Sequence, residues 1–231
     1  RLTPPRSLDL ATVNDAVATG TNSGITLPDG DRTAALAQAW SLQAWVRLAD
    51  DDTGAIISVQ VRRRTAAEIG VKDGYPYSRF QAESNKPYTA GGVNVAPKLT
   101  PGRWYHIAGS YNAAQNSLSL YVDGVLEYKT IALERPVSGV GSMYVGGNGM
   151  AESAAGSATL TSGLVDEVRI RAAAMTLAQV RASRDSIVSG TGLLAYYRFD
   201  DGGMAIEDFT RPYGHPAHRD VLKYSLLAGS Y

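Results

Sequence analysis

Apolar and polar residues alternate along most of the chain, and turn residues interrupt roughly every ten positions, the rhythm of short antiparallel strands. Trp40-Ser41-Leu42-Gln43-Ala44-Trp45-Val46-Arg47-Leu48 puts Trp40, Leu42, Ala44, Val46 and Leu48 on one face of a strand. That face is predicted as core, and Trp45 makes the opposite face partly apolar too. Residues 55–61 and 67–71 read as two further strands flanking Arg62-Arg63-Arg64. Trp104-Tyr105-His106-Ile107-Ala108-Gly109-Ser110-Tyr111 is another, followed by Ser117-Leu118-Ser119-Leu120-Tyr121-Val122, then Asp123-Gly124, then Val125-Leu126-Glu127-Tyr128. Asp-Gly between two such runs predicts a tight hairpin, because both central residues of that turn need positive φ. Ser142-Met143-Tyr144-Val145-Gly146-Gly147 and Gly163-Leu164-Val165-Asp166-Glu167-Val168-Arg169-Ile170 follow. In the second, Asp166 shares parity with Leu164, Val168 and Ile170, so a carboxylate stands in line with core positions and needs a partner or a metal. Thr176-Leu177-Ala178-Gln179 has capping-box spacing and predicts a short helix reaching about Arg184. Residues 186–192 read as a linker, and Leu193-Leu194-Ala195-Tyr196-Tyr197-Arg198-Phe199 as a last strand before an irregular tail. The predicted fold class is all-β: a two-sheet antiparallel sandwich with one short helix.

Composition narrows the class without changing it. Sandwiches of roughly 200–250 residues fold as one domain, and this chain has 231. With 44% hydrophobic residues, 24 glycines and 10 prolines it is a turn-rich folded protein with a sizeable core. Lys+Arg and Asp+Glu balance at 22 each, so no net field favours nucleic acid or an anionic membrane surface. The absence of cysteine removes disulfides, a thiolate nucleophile and cysteine-bound zinc, and fits the cytoplasm and a bacterial exterior equally. The charge-free stretches are too short and polar for a bilayer core of about 30 Å, so no membrane insertion is expected. Arg1-Leu2-Thr3-Pro4-Pro5 does not read as a signal peptide, and the expectation is a piece of a longer protein.

The order and wording of the strands resemble the laminin-G-like, concanavalin A-like jelly rolls, in particular the pentraxin-type modules of large bacterial surface proteins. The matching segments are Ser7-Leu8-Asp9-Leu10 with Val13-Asn14-Asp15-Ala16-Val17, then Ser41-Leu42-Gln43-Ala44-Trp45-Val46, and then Gly102-Arg103-Trp104-Tyr105-His106-Ile107-Ala108. Leu118-Ser119-Leu120-Tyr121-Val122-Asp123-Gly124 and the strand over 163–170 complete a set in family order over residues 7–185. The resemblance implies a jelly-roll sandwich with one concave face and a rim of loops. Residues 1–185 form the sandwich in this reading, 186–192 the linker, and 193–231 a final strand and tail. That last part looks like the segment opening such a module in tandem arrays, so it either starts a following repeat or folds back beside the first strand. The fold-back is preferred, since first and last strands are neighbours in this family. The resemblance also implies a structural Ca²⁺ where those strands meet, with Asp166 as its leading ligand and Asp200 and Asp208 as further ones. For Asp166 the plainer alternative is a buried carboxylate bonded to loop amides; for Asp200, Asp201 and Asp208 it is a solvated turn.

Other candidates carry a bland reading beside the chemical one. Arg62-Arg63-Arg64, read as extended, sends guanidinium groups to both faces, where Arg62 and Arg64 could clamp acidic glycan, but such a run is commonly a solvated edge. Tyr75, Tyr77, Phe80 and Tyr88 fall in a loop-like stretch around Gly74, Pro76, Pro87, Gly91 and Gly92, where rings could stack on sugars or merely cover the sandwich edge. Asp50-Asp51-Asp52-Thr53-Gly54 lacks EF-hand spacing and reads as a polar hairpin tip. His106 reads as a satisfied core histidine, and His215 and His218 lack a third zinc ligand. Asp166 and Glu167 are adjacent and point to opposite faces, so they do not make a glycosidase pair.

The function expected is a non-catalytic recognition or adhesion module of an exported multidomain protein at a bacterial cell surface. It binds glycan or a protein on another cell or matrix, through the 73–92 region helped by Arg62 and Arg64. Two rivals remain open: a carbohydrate-active enzyme of the same fold, and a structural tip domain that forms a homo-oligomer through apolar Val221, Leu222, Tyr224, Leu226 and Leu227.

Overall fold

The computed structural model describes residues 8–9, 25–27, 30–147, 160, 163–186, 189–198 and 208–210. Its strands are β1 (Leu8–Asp9), β2 (Ile25–Leu27), β3 (Ala39–Arg47), β4 (Gly54–Val61), β5 (Arg64–Lys72), β6 (Tyr75–Gln81) and β7 (Pro87–Gly91). They continue as β8 (Trp104–Asn112), β9 (Ser117–Val122), β10 (Val125–Ile131), β11 (Ser142–Val145), β12 (Leu164–Arg171) and β13 (Leu193–Tyr197). One helix, α1 (Leu177–Arg184), precedes β13, and a 3₁₀ helix spans Gly30–Ala37. The strands form two antiparallel sheets, one in the order β1-β12-β3-β8-β9-β10 with β13 also on β12, the other in the order β2-β11-β4-β5-β6-β7. This is the predicted jelly-roll sandwich. β1 pairs with β12 at Leu164 and Val165, whereas β13 pairs with it at Val168–Arg171, so the first and last strands share β12.

The core lies between the sheets, and strand alternation decides who enters it. Trp40, Leu42, Ala44 and Val46 of β3 meet Ile57 and Val59 of β4 and Ile69 of β5, all buried. Each large apolar side chain so buried contributes about 1.5–3 kcal/mol. Phe80 stands on this same side, its ring 4.8 Å from Tyr111 and 5.1 Å from Tyr88. The sheets approach tightly at Gly109 of β8, where a Cβ would sit 2.5 Å from the Ser78 hydroxyl and 2.6 Å from Ile69.

Three two-residue turns set the registers. Asp123 and Gly124, at φ +50° and +74°, close the predicted β9–β10 hairpin. Asp73 and Gly74, at +52° and +78°, close a second one between β5 and β6. Arg62 and Arg63 close a third with φ of +51° and +61°, which corrects the extended reading of the arginine run. The stretch expected as a long loop around Tyr75–Tyr88 is likewise two strands. Pro76 and Pro87 misdirect the reading: Pro76 is accommodated opposite Val71, and Pro87 starts an edge strand, a place where a missing N–H is tolerated. Asp50–Gly54 is no hairpin tip, since it crosses from β3 in one sheet to β4 in the other.

A bulge in β12 overturns the expected parity. Asp166 lies opposite Trp45 but Arg169 lies opposite Gln43, so one extra residue is inserted, and Glu167 takes φ +52°. Val165, Val168 and Ile170 therefore enter the core, whereas Asp166 shares the outer face with Trp45. The Glu167 carboxylate reaches Arg169, opposite Gln43 on that outer face, so the two acids do not diverge as adjacency suggested.

Helix α1 starts as predicted, with the Thr176 hydroxyl accepting from Gln179 N–H and the Gln179 side chain returning to Thr176. It lies on the outer face of the seven-stranded sheet, where Val180, Leu177 and Met175 pack on Ala108 and Tyr121.

Candidate functional site

The outer face of the six-stranded sheet carries a polar row. Directly opposed residues on paired antiparallel strands share a face, and the register runs Tyr144 (β11), Ser58 (β4), Glu68 (β5), Arg79 (β6), Thr89 (β7). Glu68 is fully buried and accepts from Ser58 Oγ at 2.8 Å, Tyr77 Oη at 2.8 Å and Arg79 Nε at 2.7 Å. Gln60 extends the network to Ser58 and Thr65 at 2.6 and 3.2 Å. Tyr77 lies over Gly70, where any Cβ would stand 2.4 Å from its hydroxyl, so glycine there makes room for the ring.

Arg79 is the accessible member, with 24% of its side chain exposed and its guanidinium 5.3 Å from the Tyr77 ring centre. Burial works to lower its pKa, but the Glu68 charge, the neighbouring Tyr77 and the hydrogen bond to Glu68 together outweigh that and hold it above the ordinary value. Only Nε is committed to Glu68, which leaves the two terminal nitrogens with four N–H donors and no partner among the described residues. The row thus offers a planar donor fork, hydroxyls and a flanking aromatic ring, the chemistry that vicinal hydroxyls or a carboxylate of a sugar would engage.

The residues singled out from sequence scatter around this row. Tyr75 is half-buried near Lys98, whose ammonium lies 5.7 Å from its ring and 2.5 Å from Asp51. Tyr77 is on the outer face but largely covered, a component of the Glu68 network and not a free ring. Tyr88 points to the other side, buried on Phe80 with its hydroxyl donating to Glu134 at 3.2 Å, which corrects its expected exposure. Arg62 and Arg64 converge on Glu83 at 2.5 and 3.0 Å, so the pair closes a turn and does not stand open. Glu83 is held below its ordinary pKa, first by the Ser138 N–H and then by these arginines.

Two of the expected calcium ligands, Asp166 and Asp208, lie among the described residues. Asp166 is fully buried and accepts from Glu167 N–H at 2.8 Å. Asp208 sits beside β13, accepting from Tyr196 N–H at 3.0 Å and from Thr210 N–H at 2.9 Å. Asp200 lies outside the described residues, as do His215, His218 and the apolar tail positions. Among the described residues no three His, Asp or Glu side chains cluster as a metal site.

His106 is buried as expected but not satisfied: neither ring nitrogen has a hydrogen-bond partner, and the ring packs edge-on to Trp45 at 5.6 Å. Burial, reinforced by the Arg169 and Arg184 charges, pushes its pKa down to about 3. Sequence reading missed Glu68, Arg79 and Ser58. A signal existed, since the Asp73-Gly74 turn fixes 72 opposite 75 and hence 68 opposite 79.

A family model for the concanavalin A-like lectin/glucanases superfamily, laminin G type, matches residues 19–181. No curated protein sequence matches the chain. Among solved structures, one named as a candidate carbohydrate-binding protein from Bacteroides ovatus superposes with a TM-score of 0.59 at 17% identity, over 88% of this chain and 55% of that one. The chain therefore spans about half the length of that protein. A heptameric SAP-like pentraxin from Limulus polyphemus superposes with a TM-score of 0.50 at 15% identity, over 74% of this chain and 77% of the other. Likeness at these identities establishes the shared fold.

Proposed function

Since the chain belongs to the concanavalin A-like lectin/glucanases superfamily, we propose that it is a non-catalytic binding module that takes glycan on the polar outer face of its six-stranded sheet. The observation that carries this reading is the row centred on Glu68 and Arg79, a carboxylate spent on internal hydrogen bonds beside a guanidinium that keeps its fork. Glycoside hydrolysis needs two carboxylates across one bond. Glu68 is the sole acid in the strands of that sheet, and it is neutralised by Arg79, so the row favours holding a sugar over cleaving it. The carbohydrate-binding name of the Bacteroides ovatus protein, borne on the same fold, supports the same direction. In this reading the module belongs to an exported multidomain protein and serves adhesion at a cell surface or matrix, with the acting surface moved from the rim to the sheet.

The test is a glycan array probed with the wild-type protein and with Arg79→Ala, each in Ca²⁺ and in EDTA. Selective binding that falls about tenfold or more in Arg79→Ala supports the reading. Binding unchanged by that substitution removes the row as the site, and no binding in either buffer turns the reading toward a protein receptor. Loss of binding in EDTA would mean that the glycan is held through a cation, and would move the site away from the Glu68–Arg79 row.

A further inference from the structure

Around Arg79 the side-chain acceptors of the six-stranded sheet turn inward and the donors turn out. Both Glu68 oxygens are taken, Oε1 by Tyr77 Oη and Arg79 Nε, Oε2 by Ser58 Oγ. Gln81, two residues beyond Arg79 on β6 and so on the same face, accepts from Thr65 N–H at 3.1 Å through its amide oxygen. Its half-buried NH2 group is the end left over, without a partner among the described residues. Gln60 Oε1 also lacks a partner, but it is buried beyond a ligand's reach. The accessible groups are the four N–H donors of the Arg79 fork, the Gln81 NH2 group and the exposed hydroxyl of Thr89, directly opposite Arg79 on β7. The ion pair is oriented in the same sense. Its acid is fully buried and its guanidinium reaches solvent, so a ligand meets the positive end.

We propose that the sugar held here is acidic, carrying a carboxylate or a sulfate ester, and that Arg79 selects it by that group; this rests on the row being the glycan site. A sugar hydroxyl both donates and accepts, so a neutral sugar laid on a field of donors leaves its own hydrogens without a side-chain acceptor. An anionic oxygen group only accepts, and two of its oxygens match the paired terminal nitrogens of a guanidinium. The fork is set before the ligand arrives, because the Nε bond to Glu68 at 2.7 Å and the Tyr77 ring centre at 5.3 Å fix its plane. Gln81 and Thr89 supply donors on either side of it.

The test is an array of acidic glycans, each beside its neutral counterpart, the carboxylate methyl-esterified or the sulfate removed. Wild type is expected to bind acidic members about tenfold or more tightly than their neutral counterparts, and which modification abolishes binding tells carboxylate from sulfate. Arg79→Ala should lose that preference. Because Arg79→Ala also strips Glu68 of its cation, Gln81→Glu serves as a second variant that leaves the Glu68 bonds in place. It sets a carboxylate beside the fork and should weaken acidic glycans about tenfold, with melting temperature and circular dichroism showing that both variants fold. Neutral members bound as tightly as acidic ones, with binding still dependent on Arg79, overturn the proposal and leave the glycan site standing. Acidic binding unchanged in Gln81→Glu overturns it as well. Binding indifferent to Arg79→Ala, or none to any member, overturns the site and the proposal together, so the two failures are distinguishable.

Discussion

The outer faces of the two sheets use the same kinds of residues to opposite ends. On the seven-stranded sheet, buried charge is sealed under other elements: fully buried Arg169 donates to Ser183 C=O at 2.7 Å, Ser186 C=O at 3.0 Å and Tyr196 Oη at 3.2 Å, and pairs with Glu167 at 2.5 Å. Both terminal nitrogens of Arg169 are spent on holding α1 and β13 to the sheet, while its buried Nε has no hydrogen-bond partner. Trp45 Nε1 adds a bond to Arg184 C=O at 3.1 Å, and Gln43 accepts from Ser183 Oγ at 2.9 Å. On the six-stranded sheet the Glu68–Arg79 pair stops at one shared bond, and the arginine keeps donors over. An arginine whose terminal nitrogens are engaged by the protein fastens structure, whereas one that keeps them free in the same kind of pair is equipped for a ligand.

The difference is broken most severely at Arg169. Arg169→Leu takes from the buried Glu167 carboxylate its closest cation, leaving it the Tyr196 hydroxyl and Arg198 at 3.5 Å, and breaking a buried pair in this way costs about 3–5 kcal/mol. Urea unfolding should show that loss while glycan binding of the folded fraction stays unchanged. A loss below about 1 kcal/mol would mean the network does not fasten the helix.

Acid should act on the same face through His106. Its pKa in the folded state is about 3 against an ordinary 6.5, so between those values the unfolded chain takes up a proton that the folded chain refuses. Stability from this group is complete above pH 6.5 and falls as pH drops toward 3, by up to about 1.4 kcal/mol per unit. His106→Leu should flatten that part of the stability curve, and an identical acid slope in the two proteins would contradict the sealed environment. On the open face, Glu68→Gln removes a charged acceptor from three donors; the expected cost is about 1–3 kcal/mol by thermal unfolding, together with weaker glycan binding. Retained affinity would separate the network from the site.

The parts of this architecture legible in sequence are those governed by neighbours in the chain. β3 parity follows from Trp40, Leu42, Ala44 and Val46 alone, the Asp123-Gly124 hairpin from its turn dipeptide, and α1 from the Thr176–Gln179 box. The misread parts depend on contacts distant in sequence. Arg62 tolerates positive φ with its guanidinium anchored to Glu83 and to Ser138 C=O at 3.1 Å, which no local propensity encodes. The bulge that turns Asp166 out of the core arises from pairing with β3, more than a hundred positions earlier in sequence. Glu68 falls between these cases, because the second Asp-Gly turn holds its register, yet its three donors come from two other strands.

The smallest effect gives the sharpest contrast, because one chemical change can be made on both sides of β6 and β7. Tyr77→Phe deletes a hydroxyl that holds Glu68 at 2.8 Å on the outer face, whereas Tyr88→Phe deletes one that reaches Glu134 at 3.2 Å from the core side. Each loses one hydrogen bond, so each should cost about 1 kcal/mol or less in stability, with Tyr88→Phe the milder because its bond is the longer and its acceptor is only partly buried. Stability alone would not tell the two faces apart, but glycan affinity does. Tyr77→Phe frees a lone pair on Glu68, alters the set of the carboxylate against Arg79 and should weaken binding several-fold, while Tyr88→Phe leaves it unchanged. Equal loss in both variants would mean that binding follows the rigidity of the hairpin and not the chemistry of its outer face.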